Sequence, residues 1–259
     1  MNRSFEWEKT MLLDNRVCVV TGAGSKRGIG RAIAELFARN GAALAVLDID
    51  GDAAQASAAS LGGKHRAYRV DVTDKAACDK AIRDVEGQFG RIDVLVNNAG
   101  ITQPKRIGDI LPADYDAILD VNLRGTFYMS QAAIAVFRRQ KSGSLICMSS
   151  VSAQRGGGIF GGPHYSAAKA GVLGLAKDMA RELATDGIRV NAVCPGLIDT
   201  DITGGKLTDD MKKEIVKTIP LGRIGRASDV ADACLFLASD LSSYVTGSVI
   251  DVNGGMFIH

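Results

Sequence analysis

Tyr165 and Lys169 stand four residues apart and carry side chains suited to acid–base chemistry. Within a helix, residues at this spacing lie on one face with their side chains adjacent. A free phenol has a pKa of about 10, and a neighbouring ammonium stabilises the phenolate and lowers that pKa. The pair therefore indicates a general acid–base centre in which Tyr165 removes or donates a hydroxyl proton, although on spacing alone an exposed helical pair is the commoner explanation.

A glycine-rich segment near the start of the chain is suited to holding a phosphate. The apolar run Val17–Val20 leads into Gly22, Gly28 and Gly30, where a helical stretch begins. Because glycine lacks a Cβ, the backbone can approach a pyrophosphate, whose charge is favoured by free N–H groups and by the positive end of the helix dipole. The segment predicts a dinucleotide-binding turn.

An acidic residue follows this turn at the distance that dinucleotide-binding folds use. Asp48 ends the next apolar stretch, about 20 residues beyond the last glycine of the turn. Its carboxylate can accept hydrogen bonds from the adenosine ribose hydroxyls, and it would repel a 2′-phosphate. Lys26 and Arg27 in the turn could instead attract that phosphate. We give Asp48 the greater weight and predict NAD(H) as the cofactor, with NADP(H) as the alternative.

The order of apolar runs and helical stretches indicates the fold that holds these residues. Strands are predicted over residues 17–21, 43–48, 67–72, 92–97, 144–149, 188–193 and 248–252, and helices over 30–40, 52–61, 74–89, 113–139, 165–184 and 228–238. Strands that are apolar throughout are typical of parallel sheets covered on both faces. The pattern predicts an α/β fold, a single doubly wound domain of Rossmann type over residues 1–259 with a seven-stranded parallel sheet. An amino-terminal extension over about 1–14 and a substrate cover over about 196–226 complete the prediction.

Composition and charge exclude several classes of protein. The chain of 259 residues has 31 basic and 29 acidic side chains, and its basic runs are short, so no nucleic-acid or anionic-membrane partner is expected. It has no run of about 18 apolar residues, and its first residues lack an apolar block, so we expect a cytoplasmic protein. The five cysteines and three histidines form no ligand pair, and no metal site is predicted.

Four further motifs accompany the glycine turn and the Tyr165–Lys169 pair. They are Asn97-Asn98-Ala99-Gly100, Asn122 within Asp120-Val121-Asn122-Leu123, Ser149-Ser150, and Pro195-Gly196. Together with Thr21-Gly22 and Gly28-Ile29-Gly30, they resemble the short-chain dehydrogenase/reductase family over nearly the whole chain. The resemblance implies transfer of hydride between NAD(P) and a secondary alcohol or carbonyl.

The resemblance also implies a role for each residue of the site. Tyr165 is the general acid–base, and Lys169 supports it and anchors the nicotinamide ribose. Ser150 holds the substrate oxygen, and Asn122 positions a proton-relay water. The implied cofactor-binding residues are Gly22, Ser25, Arg27, Gly28, Ile29, Gly30, Asp48, Asp71, Val72, Asn98, Ala99, Gly100, Tyr165, Lys169, Pro195, Gly196, Ile198 and Thr200.

Two spacings depart from the family pattern, and both lie beside the predicted site. The loop between Gly22 and Gly28 is longer than usual, so Gly24-x-x-x-Gly28-x-Gly30 is a competing register for the turn. Ser150 also lies further from Tyr165 than usual, and the usual spacing would select Ser152. We choose Ser150, because it follows the apolar run at 145–148 and the extra residues fall in the glycine-rich stretch at 156–162.

The substrate is less well determined by the sequence. Asp199, Thr200 and Asp201 give the predicted cover enough polarity for a hydroxylated substrate. Asp48 favours NAD(H), and this cofactor suits the oxidation of an alcohol. We therefore predict a polyol or a sugar-derived secondary alcohol. The enzymatic alternative is a 3-oxoacyl-thioester (acyl-carrier-protein) reductase that uses NADPH, and the non-enzymatic alternative is an NAD(H)-sensing binding protein.

The predicted assembly rests on the stretch at 165–184. Small residues, among them Ala167, Ala170 and Gly174, are spread around much of its circumference. Such a helix can pack on the sheet with one face and on a symmetry mate with another. This pattern, with the family resemblance, implies a homotetramer or a homodimer.

Overall fold

The computed structural model describes residues 11–157, 160–204 and 207–259. Within these residues the strands are β1 (Val17–Thr21), β2 (Ala43–Asp48), β3 (Arg66–Arg69), β4 (Val94–Asn97), β5 (Gly143–Met148), β6 (Ile188–Pro195) and β7 (Val249–Val252). All pair in parallel in one sheet with the order β3-β2-β1-β4-β5-β6-β7. The predicted seven-stranded parallel sheet is confirmed.

Helices cover both faces of the sheet. They are α1 (Ile29–Arg39), α2 (Gly51–Leu61), α3 (Lys75–Phe89), α4 (Pro112–Leu119), α5 (Gly125–Gln140), α6 (Ser152–Arg155), α7 (Pro163–Leu183), α8 (Asp209–Val216) and α9 (Ala227–Ala238). On β1, Val17 and Val19 belong to one buried cluster with α3, α5 and α7. Cys18 and Val20 belong to the other, with α1, α2 and α9. Alternate residues of a strand point to opposite faces, which explains why this strand is apolar throughout.

The chain reverses the order of its strands between β1 and β4. β1 pairs with β2 on one side and with β4 on the other. Thr21, the last residue of β1, accepts hydrogen bonds at its Oγ1 from the backbone N–H groups of Asn98 and Ala99, both at 3.0 Å. In open α/β sheets, ligands bind at such a switch point, outside the carboxyl ends of the strands.

Glycines follow two of the helical segments at the points where the chain turns toward the next strand. Gly90 caps α3 in the left-handed region with φ of 78°, and Gly187 precedes β6 with φ of 73°. L side chains rarely adopt this conformation.

The predicted helix over 113–139 is divided into three parts. Between α4 and α5 lies a π-helical turn over Asp120–Arg124. Within it, the Asn122 side chain donates hydrogen bonds to the carbonyl oxygens of Ile101 and Ile118, each at 2.9 Å. A side chain that competes for backbone carbonyls interrupts regular helical bonding, and such turns often lie at functional sites.

Other predicted bounds shift by a few residues. β3 ends at Arg69, short of the predicted 72, and the Asp71 carboxylate instead accepts hydrogen bonds from the Thr73 N–H and hydroxyl at 2.9 and 2.7 Å. The predicted amino-terminal extension, glycine-rich loop and cover include residues 1–10, 158–159 and 205–206, which lie outside the described residues. Of the helices described, none is both long and apolar enough to cross a membrane.

Candidate active site

A cavity of about 950 Å³ lies at the carboxyl ends of the strands. It extends from Asp48 at the end of β2 to Tyr165 and Lys169 on α7. Each residue of the predicted site lines this cavity except Arg27 and Gly30. The structure thus brings together side chains that lie far apart in the sequence.

The glycine turn leaves room for a ligand against the backbone. Gly22 has φ of +64°, and a Cβ built on it would lie 2.8 Å from the Cα of Ala99. A Cβ on Gly24 would lie 2.9 Å from Oδ2 of Asp48. Both positions therefore need glycine, and the turn begins directly after β1, as the longer loop requires. This cradle and the cavity beside it fit a dinucleotide, whose nicotinamide supplies the acceptor or donor of a hydride when it is bound.

Gly30 shapes the turn without lining the cavity. A Cβ on Gly30 would overlap with the carbonyl oxygen of Gly22 and with the side chain of Asn98. The Asn98 amide donates hydrogen bonds to the carbonyl oxygens of Thr21 and Gly22, at 2.9 and 3.0 Å. Gly30 and Asn98 thereby fix the path of the backbone on which the cofactor would lie.

Asp48 lies at the far end of the cavity from Tyr165. Its Oδ2 accepts a hydrogen bond from the Gly24 N–H at 2.8 Å, and its Oδ1 accepts one from the Asp50 N–H at 3.1 Å. The carboxylate is therefore fixed beside the glycine turn. Because it lines the cavity, it is placed to contact the adenosine ribose of a bound dinucleotide.

Arg27 is directed elsewhere. Its guanidinium lies 3.2 Å from the Asp199 carboxylate, on the segment that follows β6. The sequence predicts Arg27 as a cofactor-binding residue, but its side chain is engaged by this segment and does not line the cavity.

Tyr165 and Lys169 are adjacent on α7, as their spacing predicts. The Lys169 Nζ lies 5.9 Å from the centre of the Tyr165 ring and donates a hydrogen bond to the Met148 carbonyl at 2.9 Å. Lys169 is 3% exposed, and burial lowers its pKa to about 8. Its ammonium therefore occupies a dry site at the end of β5.

The sequence predicts that the pKa of the Tyr165 phenol is lowered. When only the protein side chains act on the phenol, this prediction is wrong. Burial raises the pKa of the phenol, and a hydrogen bond with the Ser150 side chain opposes that rise. Desolvation penalises the phenolate and is the largest cause of the raised pKa. A bound nicotinamide is cationic in its oxidised form and would stabilise a phenolate beside it. This effect would lower the pKa of Tyr165, which is the direction predicted from the sequence.

Ser150 and Ser152 both line the cavity, but their positions differ. Ser150 lies just beyond the end of β5, close enough to the Tyr165 phenol for its side chain to oppose the rise of the phenol pKa. Its Oγ also accepts a hydrogen bond from the Ser152 N–H at 3.1 Å, which fixes the start of α6. The geometry therefore favours Ser150 as the hydroxyl that faces a substrate oxygen together with Tyr165.

Asn122 presents an unpaired oxygen to the same region. Its amide nitrogen donates to two carbonyls, while its Oδ1 is buried without a partner among the described residues. A Cβ on Gly100 would lie 2.7 Å from this Oδ1 and 3.4 Å from the Lys169 Nζ. Asn122 and Lys169 thus approach Gly100 together, where a polar group such as water would satisfy the oxygen.

The end of β6 and the segment after it form another wall of the cavity. Pro195, Gly196, Ile198 and Thr200 line it, and Thr200 is 7% exposed. A Cβ on Gly196 would lie 2.8 Å from the Cα of Asn253, so this wall packs tightly against the turn after β7. This close contact therefore fixes the position of the wall.

Several lining residues were not predicted from the sequence. They include the apolar residues Val151, Phe160, Ile202, Ile215 and Met256 and the polar or charged residues Thr102, Arg155, Glu214 and Thr218. Ile202 and Ile215 fall in the predicted cover, so the sequence indicated this segment but not these two residues. Nothing in the sequence indicated Met256, because only the fold brings this residue to the cavity.

Among the described residues, no group of three or more histidine, cysteine, aspartate or glutamate side chains is arranged to hold a metal ion. The five cysteines are buried and free.

A doubly wound parallel sheet with this cluster defines the class of dinucleotide-dependent oxidoreductases. A family model described as enoyl-(acyl carrier protein) reductase matches residues 22–257. An uncharacterized short-chain type dehydrogenase/reductase of Sinorhizobium fredii is 60% identical over 253 residues, which are 96% of this chain and 100% of that protein.

Two relatives carry a more specific name. The 3-oxoacyl-(acyl-carrier-protein) reductase of Thermotoga maritima is 44% identical over 254 residues, covering 96% of this chain and 100% of that protein. The reductase of the same name from Escherichia coli K12 is 39% identical over 248 residues, with the same coverage. The chain belongs to the short-chain dehydrogenase/reductase family, and it is an NAD(P)-dependent oxidoreductase that acts on carbonyl or CH–OH groups. The predicted family and enzyme class are confirmed, and the non-enzymatic sensor is set aside.

Proposed function

We propose that this protein is an NAD(H)-dependent oxidoreductase that interconverts 3-oxoacyl and 3-hydroxyacyl thioesters. The observation that carries the proposal is that Tyr165 and Ser150 share one cavity with a set of apolar side chains, Phe160, Ile202, Ile215 and Met256. Two relatives named 3-oxoacyl-(acyl-carrier-protein) reductase support the same substrate class.

The apolar walls favour an acyl chain over a polyol. Phe160, Ile202, Ile215 and Met256 offer contact to methylene groups and no hydrogen bonds from their side chains. Hydroxyls of a polyol that faced these four side chains would find no partners on them, and unpaired polar groups are costly to bury. We therefore place the thioester ahead of the polyol that the sequence analysis favours.

The proposed cofactor is NAD(H), because of the charges at the adenosine end. Asp48 faces this end, where its carboxylate would repel a 2′-phosphate. Lys26 and Arg27 do not line the cavity, and Arg27 is paired with acidic residues. The basic groups that could have favoured NADP(H) are thus not directed into the site.

The proposed roles follow the geometry of the cluster. Tyr165 exchanges a proton with the substrate oxygen, and Ser150 donates a hydrogen bond to that oxygen as negative charge develops. Lys169 supplies positive charge beneath the ring of Tyr165 and is placed to bind a ribose hydroxyl. Asn122 holds a polar group next to Lys169.

Arg106, Arg124, Arg138 and Arg139 could form a basic entrance for a carrier domain, and three of them are paired with carboxylates. Arg138 pairs with Glu182 and Asp186, and Arg139 pairs with Glu86. Arg124 pairs with Asp120. The proposal therefore concerns the thioester itself and makes no use of a carrier-binding surface.

A substrate panel tests the proposal. Purified protein is assayed with NADH and with NADPH against acetoacetyl thioesters, and with NAD⁺ and NADP⁺ against 3-hydroxybutyryl thioesters and a set of polyols. We expect the highest kcat/KM for the thioester pair with NAD(H), and loss of that activity in Tyr165→Phe. Faster oxidation of a polyol would overturn the proposed substrate, and activity that survives in Tyr165→Phe would overturn the proposed acid–base.

We also propose that the protein assembles as a homotetramer or homodimer. One face of α7, which includes Ala168, Val172 and Ala176, is buried in the core. Ala167, Ala170 and Gly174 lie exposed on the other side of the helix. A smooth face of this kind permits close packing of two copies of the helix.

A further inference from the structure

Arg27 in the glycine turn is paired with two carboxylates from the segment that follows β6. Its Nη2 lies 3.2 Å from Oδ1 of Asp199, and its Nε lies 3.8 Å from Oδ1 of Asp201. Asp199 is also 3.4 Å from the Lys212 Nζ on α8. The guanidinium is therefore drawn toward this segment by two charges.

Asp201 also binds the backbone and a hydroxyl of the same turn. Its Oδ2 accepts hydrogen bonds from the Ser25 hydroxyl at 3.2 Å and from the Arg27 N–H at 3.1 Å. The main chain next to Arg27 is thus held as well as its side chain. These contacts fix the direction in which the Arg27 side chain points away from the turn.

The direction of Arg27 bears on the choice of dinucleotide. Arg27 follows Gly24 by three residues, and the N–H of Gly24 is bound to Asp48 at the adenosine end of the cavity. A guanidinium binds a phosphate through two parallel hydrogen bonds, so an arginine on this turn is a suitable partner for a ribose 2′-phosphate. While it is paired with Asp199 and Asp201, it does not line the cavity.

We propose that Asp199 and Asp201 are specificity-determining residues, which disfavour NADP(H) by keeping Arg27 away from the ribose. This inference rests on the NAD(H) preference proposed above and deepens it. Asp48 repels the 2′-phosphate directly, whereas Asp199 and Asp201 withhold the cation that would attract it. The preference then has two separable causes on two different segments.

The size of the effect follows from the exposure of these side chains. Arg27 is 62% exposed, Asp199 44% and Asp201 47%, so each pair by itself is weakly stabilising. Two carboxylates act on the same guanidinium, and one of them also binds the backbone N–H of Arg27. We therefore expect their removal to tighten binding of NADPH about three- to tenfold, while that of NADH changes less.

Asparagine substitutions test this directly. Asp199→Asn, Asp201→Asn and the double variant keep the size and one acceptor oxygen of each side chain, so Asp201→Asn can still bind the Ser25 hydroxyl. Dissociation constants for NADH and NADPH are measured by titration calorimetry without any substrate. The expected result is a rise in the ratio of Kd for NADH to Kd for NADPH, largest in the double variant.

Two further variants make the result specific. Asp210→Asn removes an exposed carboxylate of α8 that pairs with Lys213, and it should leave the ratio unchanged. Adding Arg27→Gln to the double variant should abolish the gain for NADPH. Thermal unfolding of each variant verifies that it is folded, and the single Asp201→Asn variant decides the matter if the double variant is not.

The inference is overturned if NADPH binding does not tighten, or if it tightens equally without Arg27. The wild-type constants test the proposed function separately. A wild-type preference for NADPH would overturn the proposed cofactor. The change in NADPH affinity that the aspartate substitutions cause, and its dependence on Arg27, would still be measured. Because no substrate is used, an error in the proposed thioester would not affect the outcome.

Discussion

Asp48 and Gly24 are joined by a hydrogen bond of 2.8 Å from the Gly24 N–H to the carboxylate. The bond connects the end of β2 to the turn after β1, so the charge at the adenosine end cannot swing away from the cavity. A Cβ on Gly24 would lie 2.9 Å from the same carboxylate oxygen. The glycine and the aspartate therefore depend on each other.

Asp48→Asn separates the charge of this residue from its hydrogen bond. The amide oxygen can still accept from Gly24, but the repulsion of a 2′-phosphate is lost. We expect the ratio of kcat/KM for NADPH to that for NADH to rise at least about tenfold. Asp48→Ala serves as the comparison, because it also leaves the Gly24 N–H without its partner. An unchanged ratio in Asp48→Asn would show that the carboxylate does not set the preference.

The two candidate serines are distinguished by removing each hydroxyl. We expect Ser150→Ala to lower kcat by about 10²- to 10³-fold, because it removes a hydrogen bond to an oxygen that gains charge in the transition state. Ser152→Ala should cost much less, since the Ser152 contact to Ser150 is made by the backbone N–H. Steady-state assays of both variants with the acetoacetyl thioester make the comparison. The reverse order of effects would assign the role to Ser152.

The buried ammonium of Lys169 predicts a pH dependence of stability. Its pKa is lowered from 10.5 to about 8 in the folded protein, so between these values the unfolded chain binds more protons than the folded one. Stability attributable to this group therefore rises with pH across that window and is lowest below pH 8. In Lys169→Met this contribution is absent.

Urea unfolding of the dinucleotide-free protein measures the effect. Relative to Lys169→Met, the wild type should gain up to about 3 kcal/mol of unfolding free energy between pH 7.5 and 10.5. Other titrating groups are common to both proteins and largely cancel in the difference. A difference that stays constant over this range would mean that Lys169 has an ordinary pKa.

The exposed face of α7 predicts a sensitive site for assembly. Ala170→Glu places a charge on this face, and we expect it to shift a tetramer or dimer toward the monomer at micromolar concentration in sedimentation equilibrium. Ala59→Glu is the matched control, because Ala59 is equally exposed on α2 at the opposite side of the sheet. A wild-type protein that sediments as a monomer would overturn the proposed assembly.

The sheet was largely predictable because its strands are apolar on both faces. β1 and β2 occur where the runs at 17–21 and 43–48 predict them, and Gly90 and Gly187 mark helix ends. The interruption at Asp120–Arg124 was not predictable, because Asn122 bonds to the carbonyl of Ile101, which lies in another segment. Periodicity reports on local preference and cannot register a contact that tertiary structure creates.

Within the site, residue types were predictable and their electrostatics were not. The sequence by itself determined the pair on one helix face, the glycine turn and the acid at the end of β2, because each depends on neighbours in the chain or on the end of a strand. Tertiary structure decided that burial raises the pKa of Tyr165, that Arg27 pairs with Asp199 and Asp201, and that a set of apolar side chains lines the same cavity as Tyr165. These properties depend on which distant segments exclude water and supply charge, and that is fixed only when the chain has folded.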